Sequence, residues 1–202
     1  MDNSHENLLN SLKRDIALTS GNYAQMHDRL ILRDWVSRIA IVYYSLVTIV
    51  YAVLSLCFTV SNKGLLDFVS ICVSIITLVA SLMISFARYA ERAPKVMQAL
   101  DGIKRIKKEL AKYSCADLCD KDYALYDSFV EKYHAIVDEV EIRAEVDYYR
   151  TCKTLKNNPD YANAWDRLSW FQKAIAYLSR ALEYVFYALL AIAPFFPIPF
   201  FF

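Results

Sequence analysis

Glycine is scarce, with only three in 202 residues, so the sequence has no glycine-rich loop to cradle a phosphate. It also lacks an HExxH zinc signature and a GxSxG nucleophile elbow. The three histidines, His5, His27 and His134, fall on separate segments and form no pair or triad for acid–base or metal chemistry. Neither enzyme activity nor a cofactor is expected. Cysteine is present in a pattern that argues against a disulfide framework: Cys57, Cys72, Cys115, Cys119 and Cys152 are odd in number, and two of them lie in apolar runs. A reducing compartment fits this usage. Cys115 and Cys119 form one CxxxC, half of what a structural zinc site needs, so small core cysteines at a helix end are favoured over a metal centre. Charge of neither sign is in surplus, the net being +1, which argues against direct nucleic-acid binding through phosphate neutralisation.

Charge is missing altogether from two stretches, Ile39 to Val60 and Phe68 to Ala87, which hold no Asp, Glu, Lys or Arg and are separated only by SNKGLLD. About 20 apolar residues let an α-helix cross a hydrocarbon core of roughly 30 Å, so the pair predicts a transmembrane hairpin in contact with membrane lipid. Arg29, Arg33 and Arg38 precede the first run and Arg88, Arg92 and Lys95 follow the second, while the connector holds only Lys63. The positive-inside bias therefore places both ends of the hairpin, and the bulk of the chain, in the cytoplasm. Arg33, Trp35, Arg38, Arg88, Tyr89 and Arg92 are the expected membrane-interface anchors. The opening MDNSHENLLNSLKRD lacks the basic-then-apolar form of an export signal and instead predicts a polar helix. A multi-pass membrane protein is expected.

Elsewhere the periodicity is helical. Leu9, Leu12, Ile16, Thr19, Tyr23, Met26 and Leu30 advance in steps of three and four, predicting a long amphipathic helix that continues into the first span, weakened at Gly21. Val96, Ala99, Ile103, Ile106, Leu110 and Tyr113 repeat the rhythm as far as a turn at SCADLCD. A third helix carries Tyr126, Val130, Tyr133, Val137, Val140 and Ala144 until KNNPD stops it, and Trp165, Leu168, Ile175, Leu178 and Leu182 mark another. Pro194, Pro197 and Pro199 confine the helical part of the uncharged end to about Tyr184 to Ala193, or roughly 15 Å. That length favours a tail that is interfacial, partly inserted or buried against the hairpin over a full span. The expected fold is an all-α membrane protein, with a long N-terminal helix (1–38), a transmembrane hairpin (39–60 and 68–87), a cytoplasmic helical bundle (88–183) and a hydrophobic tail (184–202).

Both spans carry small hydroxylated stripes, with Ser45, Thr48, Ser55 and Thr59 in the first and Ser70, Ser74, Thr77 and Ser81 in the second. Two readings stand side by side. The stripes pack helix on helix, or they line a wet lumen in a homo-oligomer, because two helices per chain are too few to enclose a pore. Such a lumen would discriminate poorly among small ions. Lys104, Arg105, Lys107 and Lys108 form the most basic patch, read as a solvated face with anionic lipid, nucleic acid or an acidic partner as alternatives.

A lead helix ending in RDWVSR, a tight two-span hairpin, an ARYAER exit and a helical remainder resemble the SLATT family, the SMODS- and SLOG-associating two-transmembrane effectors of prokaryotic conflict systems. The resemblance covers roughly Leu8 to Tyr149 and leaves out the tail after Glu183. It implies a pore-forming membrane effector of antiviral defence, encoded beside a sensor such as a nucleotide-signal synthase, a SLOG protein or a reverse transcriptase. Activation would then permeabilise the prokaryotic inner (cytoplasmic) membrane and produce abortive infection. The resemblance supplies no catalytic residue. A non-conducting membrane scaffold that anchors a cytoplasmic partner enzyme is the alternative.

Overall fold

In the computed structural model of the chain, the described residues are 2–57, 63–112, 123–140, 144–158 and 162–193. Among them the structure is helical without strands: α1 (Asp2–Cys57), α2 (Lys63–Ala87), α3 (Tyr89–Leu110), α4 (Tyr123–Glu139), α5 (Glu145–Leu155), α6 (Ala162–Asp166) and α7 (Trp170–Ile192). The architecture is all-α, as its periodicity predicts. The chain divides into two compact units, one of Met1–Leu30 with Glu91–Ser179 and one of Ile31–Ala90 with Arg180–Phe202.

The first unit is a helical bundle whose core follows the three-four stripes. Every member of the α1 stripe, from Leu9 through Thr19 to Leu30, is buried, as are Val96, Ala99, Ile103, Ile106 and Leu110 of α3. Burying a Leu- or Ile-sized side chain stabilises by about 1.5–3 kcal/mol, so these two stripes supply most of the drive to assemble the bundle. Two of the glycines mark close helix approaches. A Cβ on Gly21 would collide with the Thr151 Cγ2 methyl of α5, and one on Gly102 would come within 2.8 Å of the Ile136 Cδ1 of α4. Gly21 is therefore a contact point in α1, which runs unbroken through it.

The predicted third helix is two helices. α4 ends at Glu139 and α5 begins at Glu145, and Ala144, just before it, is extended, with φ −74° and ψ 143°. Phe129 takes the buried position in α4, whereas Val130 and Tyr133 are half-buried. The restart places Glu145 and Asp147 in the first turn of α5, where acidic groups complement the helix dipole. A second restart separates α6 from α7. Ser169 and Gln172 cap α7 reciprocally, the Ser169 N–H donating to Gln172 Oε1 (2.9 Å) and the Gln172 N–H to Ser169 Oγ (3.3 Å).

The second unit contains the hairpin. Its helices expose apolar side chains on all sides, including Leu46, Ile49, Ile75, Leu78 and Phe86, the pattern of a helix whose surroundings are themselves apolar. Tyr51 is the buried centre of the packing, with Val47, Leu54 and Val69 around it. α2 ends at Arg88, whose φ of 47° is left-handed, and α3 begins at the next residue. A non-glycine residue there costs about 1–2 kcal/mol. Tyr113, the predicted turn at SCADLCD with Cys115 and Cys119, the predicted helix stop at Pro159, Thr59 and the tail beyond Ala193 lie outside the described residues.

Candidate functional site

The span hydroxyls are held largely by their own helices. Ser45 donates to the Ile41 carbonyl (2.8 Å), Thr48 to Tyr44 (2.9 Å), Ser74 to Ser70 (2.8 Å) and Thr77 to Val73 (2.8 Å). This backbone bonding satisfies each donor whatever the face meets. Ser45 and Ser74 are exposed, while Thr48, Ser70, Thr77 and Ser81 are half-buried. Ser55 differs: it is buried and donates to the carboxylate of Asp67, so a hydrogen bond ties α1 to α2 near the connector. Asp67 belongs to α2 because that helix starts at Lys63, ahead of the uncharged run.

The expected anchors sit at the opposite end of the hairpin. Trp35 is exposed, and Arg38 pairs with Asp34 one turn earlier at 3.0 Å. Arg33 and Tyr89 are half-buried within electrostatic reach of Tyr187, together with Glu183. Arg88 occupies the left-handed exit, and Arg92 lies past it in the first unit.

α7 ends against α1 within the second unit. The hydroxyl of Tyr44 donates to the Leu190 carbonyl and that of Tyr43 to the Ala191 carbonyl, both at 2.7 Å. The last carbonyls of a helix have no partner of their own, and Leu190 would ordinarily receive the N–H of residue 194, which is proline. Two phenols thus close a helix end that lipid could not satisfy.

A second constellation lies inside the bundle, where α1 meets α4 and α5. Arg29 pairs with Asp147 at 2.8 Å, and the Asp147 side chain is fully buried. Thr19 and Tyr133 share a hydrogen bond of 2.7 Å, Arg150 Nε donates to Ser179 Oγ at 2.9 Å, and Thr151 Oγ1 donates to the Asp147 carbonyl. Asn22 is 1% exposed, and neither its Oδ1 nor its Nδ2 has a hydrogen-bond partner among the described residues. A buried amide in that state costs about 1–3 kcal/mol. Beside this seam, burial pushes the Cys152 thiol above its ordinary range. The Tyr149 phenol is raised chiefly because its proton is held by Glu145 at 2.9 Å.

The sequence stripes pointed to the seam without its chemistry. Asp147 and Thr151 continue the spacing of Val137, Val140 and Ala144, and Asn22 and Arg29 continue that of Thr19 and Met26. Polar residues on an apolar register were the available signal. The proline at 194 likewise marked the carbonyl that needs a foreign donor. Tyr51 and Asp67 carried no comparable sign. Lys104, Arg105, Lys107 and Lys108 lie exposed on α3, opposite buried Ile103 and Ile106.

Three of the described helices contain stretches long and apolar enough to cross a membrane, in α1, α2 and α7. The qualifying stretch of α7 is the least hydropathic and contains Arg180 and Glu183. No curated protein and no solved structure matches the chain. A family match is found over residues 5–200, extending beyond Tyr149 and into the proline-rich end. With a two-helix apolar hairpin joined to a helical bundle and that match across nearly its whole length, the chain belongs to the SMODS and SLOG-associating 2TM effector domain family 5.

Proposed function

We propose that the protein is the membrane effector of a prokaryotic anti-phage system. In this reading the bundle lies in the cytoplasm and holds the hairpins inactive. A partner sensor then shifts the bundle's packing, and hairpins from several copies associate to permeabilise the inner membrane. The observation that carries the reading is the continuity of α1, one helix from Asp2 to Cys57 that bears both the buried polar seam and the first apolar span. A two-state element needs alternatives of similar energy, and the unsatisfied Asn22 amide and buried Arg29–Asp147 pair lower the advantage of the resting packing.

The charge flanks support the orientation through the positive-inside bias. Ser45 and Ser74, exposed in a single chain, are the first candidates to face a neighbour or a lumen, with Thr48 and Thr77 one turn away. Their hydroxyls are already satisfied, which suits a surface that meets lipid in one state and water or protein in another. The test is dye release from liposomes carrying the full-length protein, with and without its genetically adjacent partner. Membrane depolarisation on induced expression is read in parallel. Leakage that appears with the partner and declines in Ser45→Leu and Ser74→Leu supports the reading. An assembled protein that relocalises the partner with no leakage supports the scaffold instead.

A further inference from the structure

Three lysines converge on two aromatic rings at the surface of the bundle. Lys153 Nζ lies 3.9 Å from the centroid of the Tyr177 ring, Lys156 Nζ 6.0 Å from the same ring, and Lys173 Nζ 5.7 Å from that of Trp165. Lys156 also donates to the Tyr177 hydroxyl at 3.4 Å, and the Trp165 and Tyr177 rings meet edge to face at 6.0 Å. None of the three ammonium groups forms an ion pair with a carboxylate among the described residues.

The dipole of α5 accounts for Lys153 and Lys156, which sit at its negative end, and Lys173, in the first turn of α7 where a cation is disfavoured, reaches back to the Asp166 carbonyl at the end of α6 at 3.5 Å. Beside them Trp170 is 80% exposed and Phe171 60% exposed. Trp170, Lys173 and Tyr177 fall at i, i+3 and i+7, hence on one face of α7. Exposed Trp and Tyr beside three lysines, with Asp166 the exposed acidic side chain of α6, are the composition of an interface hot spot with a net positive rim.

We propose that this face, built from the end of α5, α6 and the start of α7, docks an acidic polypeptide segment that carries apolar side chains and belongs to the partner sensor. The inference rests on the effector reading for the existence of a partner. Charge complementarity selects the occupant: the lysines supply the attraction, and Trp170 and Phe171 supply the apolar anchors. A nucleobase is a poorer fit, because Lys153 covers a face of Tyr177 and the other rings are engaged edge-on. A lipid surface fits less well too, since Trp170 lies ten residues before Arg180, about 15 Å along the helix from the apolar half of α7.

The test uses the full-length protein in phosphatidylcholine nanodiscs, titrated with a fluorescein-labelled peptide of alternating Glu and Leu, its Gln counterpart and a short oligothymidylate. Saturable binding of the Glu peptide is expected, weakening with salt. It should weaken about tenfold in K153Q/K156Q/K173Q and in W170A, while K104Q/R105Q/K107Q/K108Q on α3 leaves it unchanged. Circular dichroism of each variant confirms that the bundle is folded. Equal binding of the Gln peptide, tighter binding of the oligonucleotide, retained affinity in the triple variant or loss in the α3 variant would overturn the proposal. Dye release from liposomes carrying the same full-length protein, with its partner present, separates the two ideas. Leakage without this binding sinks the docking face alone, and binding without leakage sinks the effector reading alone.

Discussion

Tyr44 donates its phenolic proton, at 2.7 Å, to the carbonyl of Leu190, the residue four places ahead of Pro194. A side chain of α1 replaces a backbone donor that proline removes from α7. Tyr44→Phe should therefore destabilise the folded protein by about 1–3 kcal/mol, measured by thermal unfolding in nanodiscs. Pro194→Ala restores a backbone N–H at that position, so the loss caused by Tyr44→Phe should shrink in its background. Equal losses in the two backgrounds would show that the phenol does not act as the missing donor.

Removing Arg29 takes the guanidinium from a fully buried carboxylate. Arg29→Ala is expected to cost about 3–5 kcal/mol, whereas Asn22→Leu removes an unsatisfied amide and should stabilise by about 1–3 kcal/mol. Denaturant unfolding checks both signs. In the leakage assay Asn22→Leu should raise the amount of partner needed, because the resting packing gains on the active one.

Gly21→Ala would ordinarily favour a helix by about 1 kcal/mol, but here the new methyl meets Thr151 Cγ2. Overpacking costs about 1–3 kcal/mol, so the net change should be destabilising. Thr151→Ser removes the methyl that is struck and retains the hydroxyl, so the double variant should recover most of the loss.

Cys152 should report opening of the bundle. In a variant with the other four cysteines changed to serine, maleimide labelling of Cys152 should be slow until the bundle opens. The fold also raises the thiol's pKa, so the folded state keeps a proton that the unfolded chain releases. Stability should fall as pH rises above about 8.5, the ordinary thiol value. Tyr149, raised by its bond to Glu145, adds to the decline above about 10. Cys152→Ala should flatten the first part of that fall.

The architecture was legible because each helix faces either a bundle core or an apolar medium, and both leave plain spacing in the sequence. The stripe from Leu9 to Leu30 gave the buried face of α1 residue by residue. The interruption between Glu139 and Glu145 was not legible, since no glycine or proline marks it, and the apolar rhythm runs on through Val140 and Ala144. The stripe also gave no sign that Asp147 and Thr151 of α5 meet Arg29 and Gly21 of α1. The candidate site was legible only in part for the same reason. Hydroxyl spacing located Ser45 and Ser74, but the Ser55–Asp67 link and the tyrosine caps join residues far apart in sequence or across the connector, where spacing carries no information.

The left-handed backbone at Arg88 makes the two legs of the hairpin mechanically unlike. α1 is one hydrogen-bonded rod, so a twist or lengthwise slip imposed near Leu12 arrives at Leu46 along an uninterrupted ladder. α2 and α3 share no such ladder across Arg88, and Pro94 removes a further rung just beyond it. In the effector reading, torque would enter through the first leg, with the backbone at Arg88 acting as a swivel in the second.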